Sequence, residues 1–154
     1  MSKVYLFDWG DTLMVDFPNQ SGHMTDWPQI AEVNGAYETL KKLSLCSKVF
    51  VATGSVGTSV SLMKRAFART TLAPYIYGYF CPNNVGYEKP SAEFYHEIAK
   101  QLTCEVADIT MVGDNLVRDI LPALEIGMSA IWLNSHNQLN PNHVIEISML
   151  TELV

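Results

Sequence analysis

Cysteines are few in this sequence and stand far apart. Only Cys46, Cys81 and Cys104 occur among 154 residues, and no two of them form a CxxC pair. An odd number of separated cysteines argues against a disulfide framework and favours reduced thiols. We therefore expect a cytoplasmic protein.

Positive charge and long apolar runs are also scarce. The chain has 10 Lys and Arg against 16 Asp and Glu, a net charge of −6. A surface of this sign repels a phosphate backbone, so we expect no nucleic acid partner. No apolar segment approaches the roughly 20 residues of a membrane span, so no membrane partner is expected. Asp8 and Asp11 interrupt the region that a signal peptide would need, so we expect none.

The apolar residues are numerous enough for a core, since 48% of the chain is hydrophobic. Many of them form short runs without polar alternation, at residues 3–8, 48–53, 109–113 and 130–133. Such runs are typical of strands that are buried on both faces. Residues 75–80 form one more possible strand, which is weaker because Gly78 interrupts the apolar run.

Between these runs, apolar residues recur every three or four positions, as in amphipathic helices. The spacing predicts helices over about residues 28–43, 60–67, 92–102 and 116–126. Pro28 suits a first helical turn and Ser91 suits an N-cap. Pro122 predicts a kink or a late start in the last helix. Strands that alternate with helices predict one α/β domain over residues 1–154, with a Rossmann-like parallel sheet flanked by helices.

Polar residues follow three of the predicted strands. Asp8, Thr53 and Asp114 each stand where a strand ends. Ligands of open parallel sheets bind beyond the carboxyl ends of the strands. We therefore expect these side chains to meet at one edge of the sheet.

Four segments of the chain together resemble the ordered signatures of the haloacid dehalogenase-like (HAD) hydrolase superfamily. They are Phe7-Asp8-Trp9-Gly10-Asp11-Thr12-Leu13, Val51-Ala52-Thr53-Gly54-Ser55, Tyr87-Glu88-Lys89-Pro90, and Val112-Gly113-Asp114-Asn115 with Asp119. Each segment is weak alone, but four in this order, spread over nearly the whole chain, are specific.

The resemblance implies a Mg²⁺-dependent phosphatase. Asp8 would be the nucleophile that forms an aspartyl-phosphate, and Lys89 and Thr53 would stabilise the transferred group. The implied Mg²⁺ ligands are Asp8, the carbonyl of Gly10, Asp114 and Asp119. The implied substrate-binding residues are Thr53, Gly54, Ser55 and Lys89.

Position 10 departs from the family's pattern. The phosphatases of the family carry an acid/base Asp two residues after the nucleophile, whereas this chain has Gly10 there and Asp11 next. Three alternatives follow. In the first, Asp11 moves into the site and acts as the acid, helped by the backbone freedom of Gly10. In the second, the enzyme has no acid and is slow or specialised for substrates with good leaving groups. In the third, the protein binds phosphate, Mg²⁺ or a partner with little turnover.

The spacing of the signatures leaves no room for a cap domain. The segments from Asp8 to Thr53 and from Thr53 to Lys89 are filled by one helix each and loops, which weakens dehalogenase and phosphonatase assignments. We expect residues 15–27 to form a flap loop beside an open active site. Water exclusion would then need a large substrate or a neighbouring subunit of a homo-oligomer. The expected substrate is a phosphorylated small molecule or a phosphoprotein.

Two other assignments have less support. The four histidines are scattered and do not pair with cysteines at zinc-ligand spacing. A phosphate-accepting receiver domain also combines Asp, Thr and Lys with Mg²⁺, but it carries its acidic pair early and its Lys last. Here Asp114 and Asp119 follow Lys89, which disfavours a receiver.

Overall fold

The computed structural model describes residues 3–154 and is built on a six-stranded parallel sheet. The strands are β1 (Lys3–Phe7), β2 (Ser47–Ala52), β3 (Gly78–Phe80), β4 (Ile109–Gly113), β5 (Ser129–Leu133) and β6 (Glu146–Ile147). Their order across the sheet is β3-β2-β1-β4-β5-β6. This architecture confirms the predicted α/β fold.

Helices connect the strands and cover both faces of the sheet. They are α1 (Ala36–Leu43), α2 (Val60–Phe67), α3 (Pro82–Val85), α4 (Ala92–Leu102) and α5 (Leu121–Glu125). A π-helical turn, Leu116–Ile120, directly precedes α5. Within residues 3–154, every helix is too short or too polar to cross a membrane.

Each face of the sheet carries its own apolar core. Phe7 and Val51 pack with α1 and α2 on one face, while Leu6 and Phe50 pack with α4 and α5 on the other. Neighbouring residues of one strand point to opposite faces. A strand that is buried on both faces therefore needs the unalternating apolar sequence that β1 and β2 have.

The order of the sheet reverses between β1 and β4. The chain moves outward from β1 to β2 and β3, then returns to β4 on the other side of β1. In open parallel sheets this reversal opens a crevice at the carboxyl ends of the strands. Asp8 and Asp114, which follow β1 and β4, flank this crevice.

The first predicted helix begins later than its sequence pattern indicated. Residues 28–35 are not helical, and α1 begins at Ala36 after Gly35, whose φ is 83°. The backbone N–H of Val15 donates to Ala31 O at 2.8 Å, and that of Val33 donates to Leu13 O at 2.8 Å. This pairing to the loop after β1 holds the segment extended, so the prediction of a helix from Pro28 was wrong.

The late start of the last helix is confirmed, because residues 116–120 form a π-helical turn and α5 holds Pro122 in its first turn. The third strand is shorter than predicted and begins at Gly78, where a Cβ atom would lie 3.1 Å from the Phe50 ring. The two-residue strand β6 and the short helix α3 were not predicted.

We predict that Ser91→Ala lowers the free energy of unfolding by about 1 kcal/mol. The Ser91 hydroxyl accepts the backbone N–H of Phe94 at 3.3 Å and so caps α4. Urea unfolding of the variant measures the loss. Ser91→Asp keeps an acceptor and should lose less; equal losses in the two variants would argue against the cap.

Candidate active site

The three polar residues at the predicted strand ends lie at one edge of the sheet. Backbone hydrogen bonds continue the strand pairing into the site, from Asp8 N–H to Val112 O and from Thr53 N–H to Phe80 O, both at 2.9 Å. Asp8, Thr53 and Asp114 line the same cavity. The sheet therefore brings together residues that are distant in the sequence, as predicted from their positions.

Lys89 is buried behind this cavity and binds two carboxylates. Its Nζ donates to Asp8 Oδ1, Asp119 Oδ1 and the carbonyl of Ala52, each at 2.9 Å. The side chain has no exposed surface. Since an ammonium group has three protons, all of the donors of Lys89 are used. A direct contact of Lys89 with substrate stays a prediction.

The ion pair sets the charge state of the nucleophile candidate. Burial opposes the charge of Asp8, but the charge and hydrogen bond of Lys89 outweigh burial and hold the pKa of Asp8 below its usual range. Burial likewise opposes the charge of Lys89, but Asp8 and Asp119 raise its pKa above the usual value. Asp8 is therefore a carboxylate near neutral pH, as a nucleophile must be.

The other two carboxylates are less easily ionised. Burial and the Asp8 charge raise the pKa of Asp114 to about 7. The same two causes, opposed by Lys89, raise the pKa of Asp119 to about 6. Three carboxylates beside one ammonium leave an excess of two negative charges, which a divalent cation would neutralise.

The geometry of the cluster fits a small divalent cation. Asp8, Asp114 and Asp119 each offer a carboxylate oxygen, and these oxygens lie within 4.8 Å of one another. Mg²⁺ takes carboxylate and carbonyl oxygens as ligands. Gly10 lines the same cavity as Asp8 and Asp114, and its carbonyl as a fourth ligand stays a prediction.

Thr12 links two of these carboxylates, a role that the sequence analysis missed. Its buried hydroxyl lies 3.4 Å from Asp8 Oδ2 and 3.2 Å from Asp114 Oδ1, and it accepts the backbone N–H of Asp114 at 3.1 Å. The hydroxyl has one proton and can donate to one carboxylate at a time. Thr12 therefore holds the two strand ends together.

Asp119 reaches the site through the π-helical turn that follows β4. Its Oδ2 accepts the backbone N–H of Asn115 at 3.3 Å. A Cβ atom on Gly113 would lie 2.7 Å from Asp119 Cγ, so only glycine leaves room for this carboxylate. The five-residue spacing from Asp114 and the glycine before it thus place Asp119 against Lys89.

Thr53, Gly54 and Ser55 line the same cavity as Asp114. The Thr53 hydroxyl oxygen accepts the backbone N–H of Ser55 at 3.1 Å, which leaves its proton free to donate. Gly54 packs on the Lys89 side chain, where a Cβ atom would lie 3.1 Å from Lys89 Cβ. The exposed Arg118 also lines this cavity and adds positive charge, which the sequence analysis did not assign.

The loop after β1 carries two further carboxylates. Asp11 is exposed, has a φ of 60°, and its Oδ1 accepts the backbone N–H of Asp16 at 2.9 Å. Partial burial, together with the charges of Asp11 and Asp8, raises the pKa of Asp16. Both residues line the cavity that contains Asp8. Asp11 as the acid stays a prediction, and Asp16 was missed because it lies outside every signature.

Residues 15–27 lie beside a second, adjoining cavity, whose wall includes Trp9, His23 and Trp27. Three hydrogen bonds tie the segment to the region of α2. The Thr25 hydroxyl donates to Leu62 O at 2.9 Å, and the Arg69 guanidinium donates to Met24 O and Thr25 O, each at 3.1 Å. The segment is thus attached to the domain beside the site.

We predict that Lys89→Met lowers the free energy of unfolding by about 3 kcal/mol or more, because it leaves two buried carboxylates without a cation. Urea unfolding without divalent metal measures the loss. The matched control is Lys100→Met on the exposed surface of α4, where we expect a change within about 0.5 kcal/mol. Equal losses in both variants would contradict the structural role of Lys89.

We predict that Mg²⁺ stabilises the protein more at about pH 8 than at about pH 6. Without metal, the pKa of Asp114 is raised to about 7. Ionising this carboxyl therefore costs stability as the pH rises through that value, and bound Mg²⁺ offsets the cost. Thermal unfolding with and without Mg²⁺ measures the Mg²⁺ increment, which is the rise in Tm on adding Mg²⁺, at each of the two pH values.

The control for this prediction is Asp114→Ala, which removes one ligand and the titrating group. We expect its Mg²⁺ increment to be smaller and less dependent on pH. An increment in the unaltered protein that is equal at both pH values would contradict the assignment of Asp114 as a ligand.

Comparisons with known proteins agree with this geometry. The family model described as HAD-hydrolase-like matches residues 86–144, which include Lys89, Asp114 and Asp119. The chain is 32% identical over 83 residues to a glyceraldehyde 3-phosphate phosphatase of Methanothermobacter thermautotrophicus, an alignment that covers 47% of this chain and 37% of that protein.

A second relative and one solved structure extend the similarity. The chain is 28% identical over 109 residues to a pyrimidine 5'-nucleotidase of Streptococcus pneumoniae, over 70% of this chain and 45% of that protein. The magnesium-bound structure of the HAD-hydrolase YfnB from Bacillus subtilis matches with a TM-score of 0.78 and 15% identity, over 99% of this chain and 96% of that chain.

The chain spans less than half of the length of these two curated relatives. The ordered signatures, the acidic cluster around Lys89 and these similarities nevertheless agree with one another. The chain is therefore similar to HAD-like hydrolases in its signatures, its fold and the geometry of its site.

Proposed function

We propose that this protein is a Mg²⁺-dependent phosphatase that forms an aspartyl-phosphate on Asp8. The observation that carries the proposal is the buried contact of Asp8 with Lys89 at 2.9 Å, in a cavity that Asp114 also lines. Without a cation beside it, a carboxylate would repel the phosphoryl group that it attacks. The fixed ammonium of Lys89 removes part of this repulsion.

Asp8 has one oxygen available for the attack. Oδ1 accepts a hydrogen bond from Lys89, whereas Oδ2 has, among residues 3–154, the Thr12 hydroxyl alone as a partner, at 3.4 Å. Attack by Oδ2 forms a new O–P bond as the bond from phosphorus to the leaving oxygen breaks. Water then cleaves the aspartyl-phosphate, releases phosphate and restores the Asp8 carboxylate.

The cavity also supplies donors for the phosphoryl oxygens. The free proton of the Thr53 hydroxyl and the guanidinium of Arg118 belong to residues that line it. Preorganised donors of this kind typically lower a barrier by about 3 kcal/mol each. Asp8, Asp114, Asp119 and the carbonyl of Gly10 would hold Mg²⁺, which when bound supplies positive charge for the transferred phosphoryl group.

The substrate class follows from the relatives and the cavity. Both curated relatives carry the names of enzymes that act on phosphate esters. We propose that the substrate is a phosphorylated small molecule or a phosphoprotein. Acyl or aryl phosphates are favoured if no other residue replaces the acid/base Asp that is absent at position 10.

We further propose that the protein is a cytoplasmic single domain and that residues 15–27 form a flap. A large substrate or a neighbouring subunit would cover the cleft.

A second candidate function rests on Gly10. A HAD-like protein without the usual acid could bind phosphate, Mg²⁺ or a partner with little turnover, because general acid catalysis contributes about 10²–10⁴-fold. Release of phosphate distinguishes the two functions. A protein that binds Mg²⁺ but hydrolyses no acyl or aryl phosphate would be of the second kind.

We predict that the protein with Mg²⁺ releases phosphate from acetyl phosphate and p-nitrophenyl phosphate, and that Asp8→Asn abolishes this release. An amide is a far weaker nucleophile than a carboxylate, so no aspartyl-phosphate can form. The control is Glu125→Gln, which removes an exposed carboxylate of α5 outside the cavity that contains Asp8. Activity retained in Asp8→Asn would refute Asp8 as the nucleophile.

A further inference from the structure

We propose that Asp16 is the acid/base residue that replaces the missing side chain of position 10. This inference rests on the proposed phosphatase function and deepens it. A Cβ atom built on Gly10 would lie 3.4 Å from Asp16 Cβ and 3.5 Å from Asp16 Oδ2. The Asp16 carboxylate thus lies in van der Waals contact with the point where a side chain of residue 10 would begin.

Neither the space around Gly10 nor its backbone geometry requires glycine, because a Cβ atom there would contact Asp16 at an ordinary van der Waals distance. The φ angle of Gly10 lies outside the left-handed region, so another residue could adopt its backbone conformation. An aspartate at position 10 would place a second carboxylate against that of Asp16. Two carboxylates this close would repel each other, and the chain carries the one at position 16.

Asp16 also stands where a proton donor is needed. One cavity contains Asp8 and Asp114, where the phosphoryl group would be bound. The adjoining cavity has Trp9 and Trp27 in its wall and is open to the organic part of a substrate. Of residues 3–154, Asp16 is the carboxylate that lines both cavities. The leaving oxygen, which joins the phosphoryl group to the organic part, would lie between them.

The backbone of Asp16 is fixed, whereas its carboxylate is free. The N–H of Asp16 donates to Asp11 Oδ1 at 2.9 Å, and the N–H of Asp11 donates to Met14 O at 2.7 Å. Among the residues that the structure describes, no hydrogen bond holds the Asp16 carboxylate itself. We infer that Asp11 is a positioning residue, which holds the loop so that Asp16 stays beside Gly10.

The reaction then balances with Asp16 in both steps. In the first step, the Asp16 carboxyl group gives its proton to the leaving oxygen as the Asp8 oxygen bonds to phosphorus and the leaving P–O bond breaks. In the second step, the Asp16 carboxylate takes a proton from the water that attacks phosphorus. The bond from Asp8 to phosphorus breaks, phosphate leaves, and both residues return to their starting states.

The test compares substrates that differ in their need for a proton. Because kcat/KM reports events up to the first irreversible step, it follows transfer of the phosphoryl group to Asp8. We expect Asp16→Asn to lower kcat/KM for phenyl phosphate by roughly 10²-fold or more, and to lower it much less for acetyl phosphate. The control is Glu125→Gln, which removes an exposed carboxylate of α5 outside both cavities, with no change expected for either substrate.

A swap of the two positions tests the geometry directly. The double variant Gly10→Asp, Asp16→Gly moves the carboxylate to position 10, and we expect it to hydrolyse phenyl phosphate faster than Asp16→Gly alone. A swap variant no faster than the single variant would overturn the proposal. The proposal would also be overturned if Asp16→Asn lowered kcat/KM by the same factor for phenyl phosphate and for acetyl phosphate.

Two substitutions distinguish a positioning role of Asp11 from a role as the proton donor. Asp11→Asn keeps an oxygen that can accept the Asp16 N–H, whereas Asp11→Ala does not. A positioning residue should lose less kcat/KM for phenyl phosphate in the Asn variant than in the Ala variant. Equal large losses, with Asp16→Asn as active as the control, would assign the proton to Asp11 instead.

The proposed function and this inference fail in different ways. If the unaltered protein releases no phosphate from acetyl phosphate or p-nitrophenyl phosphate, the phosphatase function fails and this inference fails with it. If it releases phosphate and Asp16→Asn keeps full activity on phenyl phosphate, only the assignment of Asp16 fails. Urea unfolding of each variant confirms that its fold is intact.

Discussion

The buried ammonium of Lys89 is the contact on which the site depends. It joins Asp8 from the end of β1, the Ala52 carbonyl from the end of β2 and Asp119 from the turn after β4. Removing such charges from water costs several kcal/mol for each ion, and the cost is met only if their hydrogen bonds are complete. The packing of Gly54 and Gly113 against Lys89 and Asp119 shows how closely the backbone surrounds these groups.

The carboxylates of the cluster differ in how easily they ionise. Lys89 holds the pKa of Asp8 below its usual range, whereas burial and the Asp8 charge raise the pKa of Asp114 to about 7 and that of Asp119 to about 6. Crowded carboxylates disfavour one another's ionisation unless a cation is present. The site therefore combines a ready carboxylate with a strong electrostatic preference for a divalent metal ion, two properties that phosphoryl transfer requires.

The region after β1 places a carboxylate beside the position of the motif that lacks one. In three dimensions the Asp16 carboxylate lies beside the space that residue 10 leaves empty, although six positions separate the two in the chain. The loop makes this approach through the contact of Asp11 with the Asp16 backbone at 2.9 Å. A comparison of motifs alone registers a loss at position 10, whereas the fold places a carboxylate next to it.

The sequence by itself determined the alternation of strands and helices, the parallel sheet and the residues at the strand ends, because buried strands and short signatures are local patterns. Only the tertiary structure decided the late start of α1, since Leu13 and Val15 pair with the segment that precedes it. It also decided the contacts of Thr12, Arg118 and Asp16 with the site. These depend on how a loop folds back over a sheet, and long-range contacts of that kind leave no periodic signal in the chain.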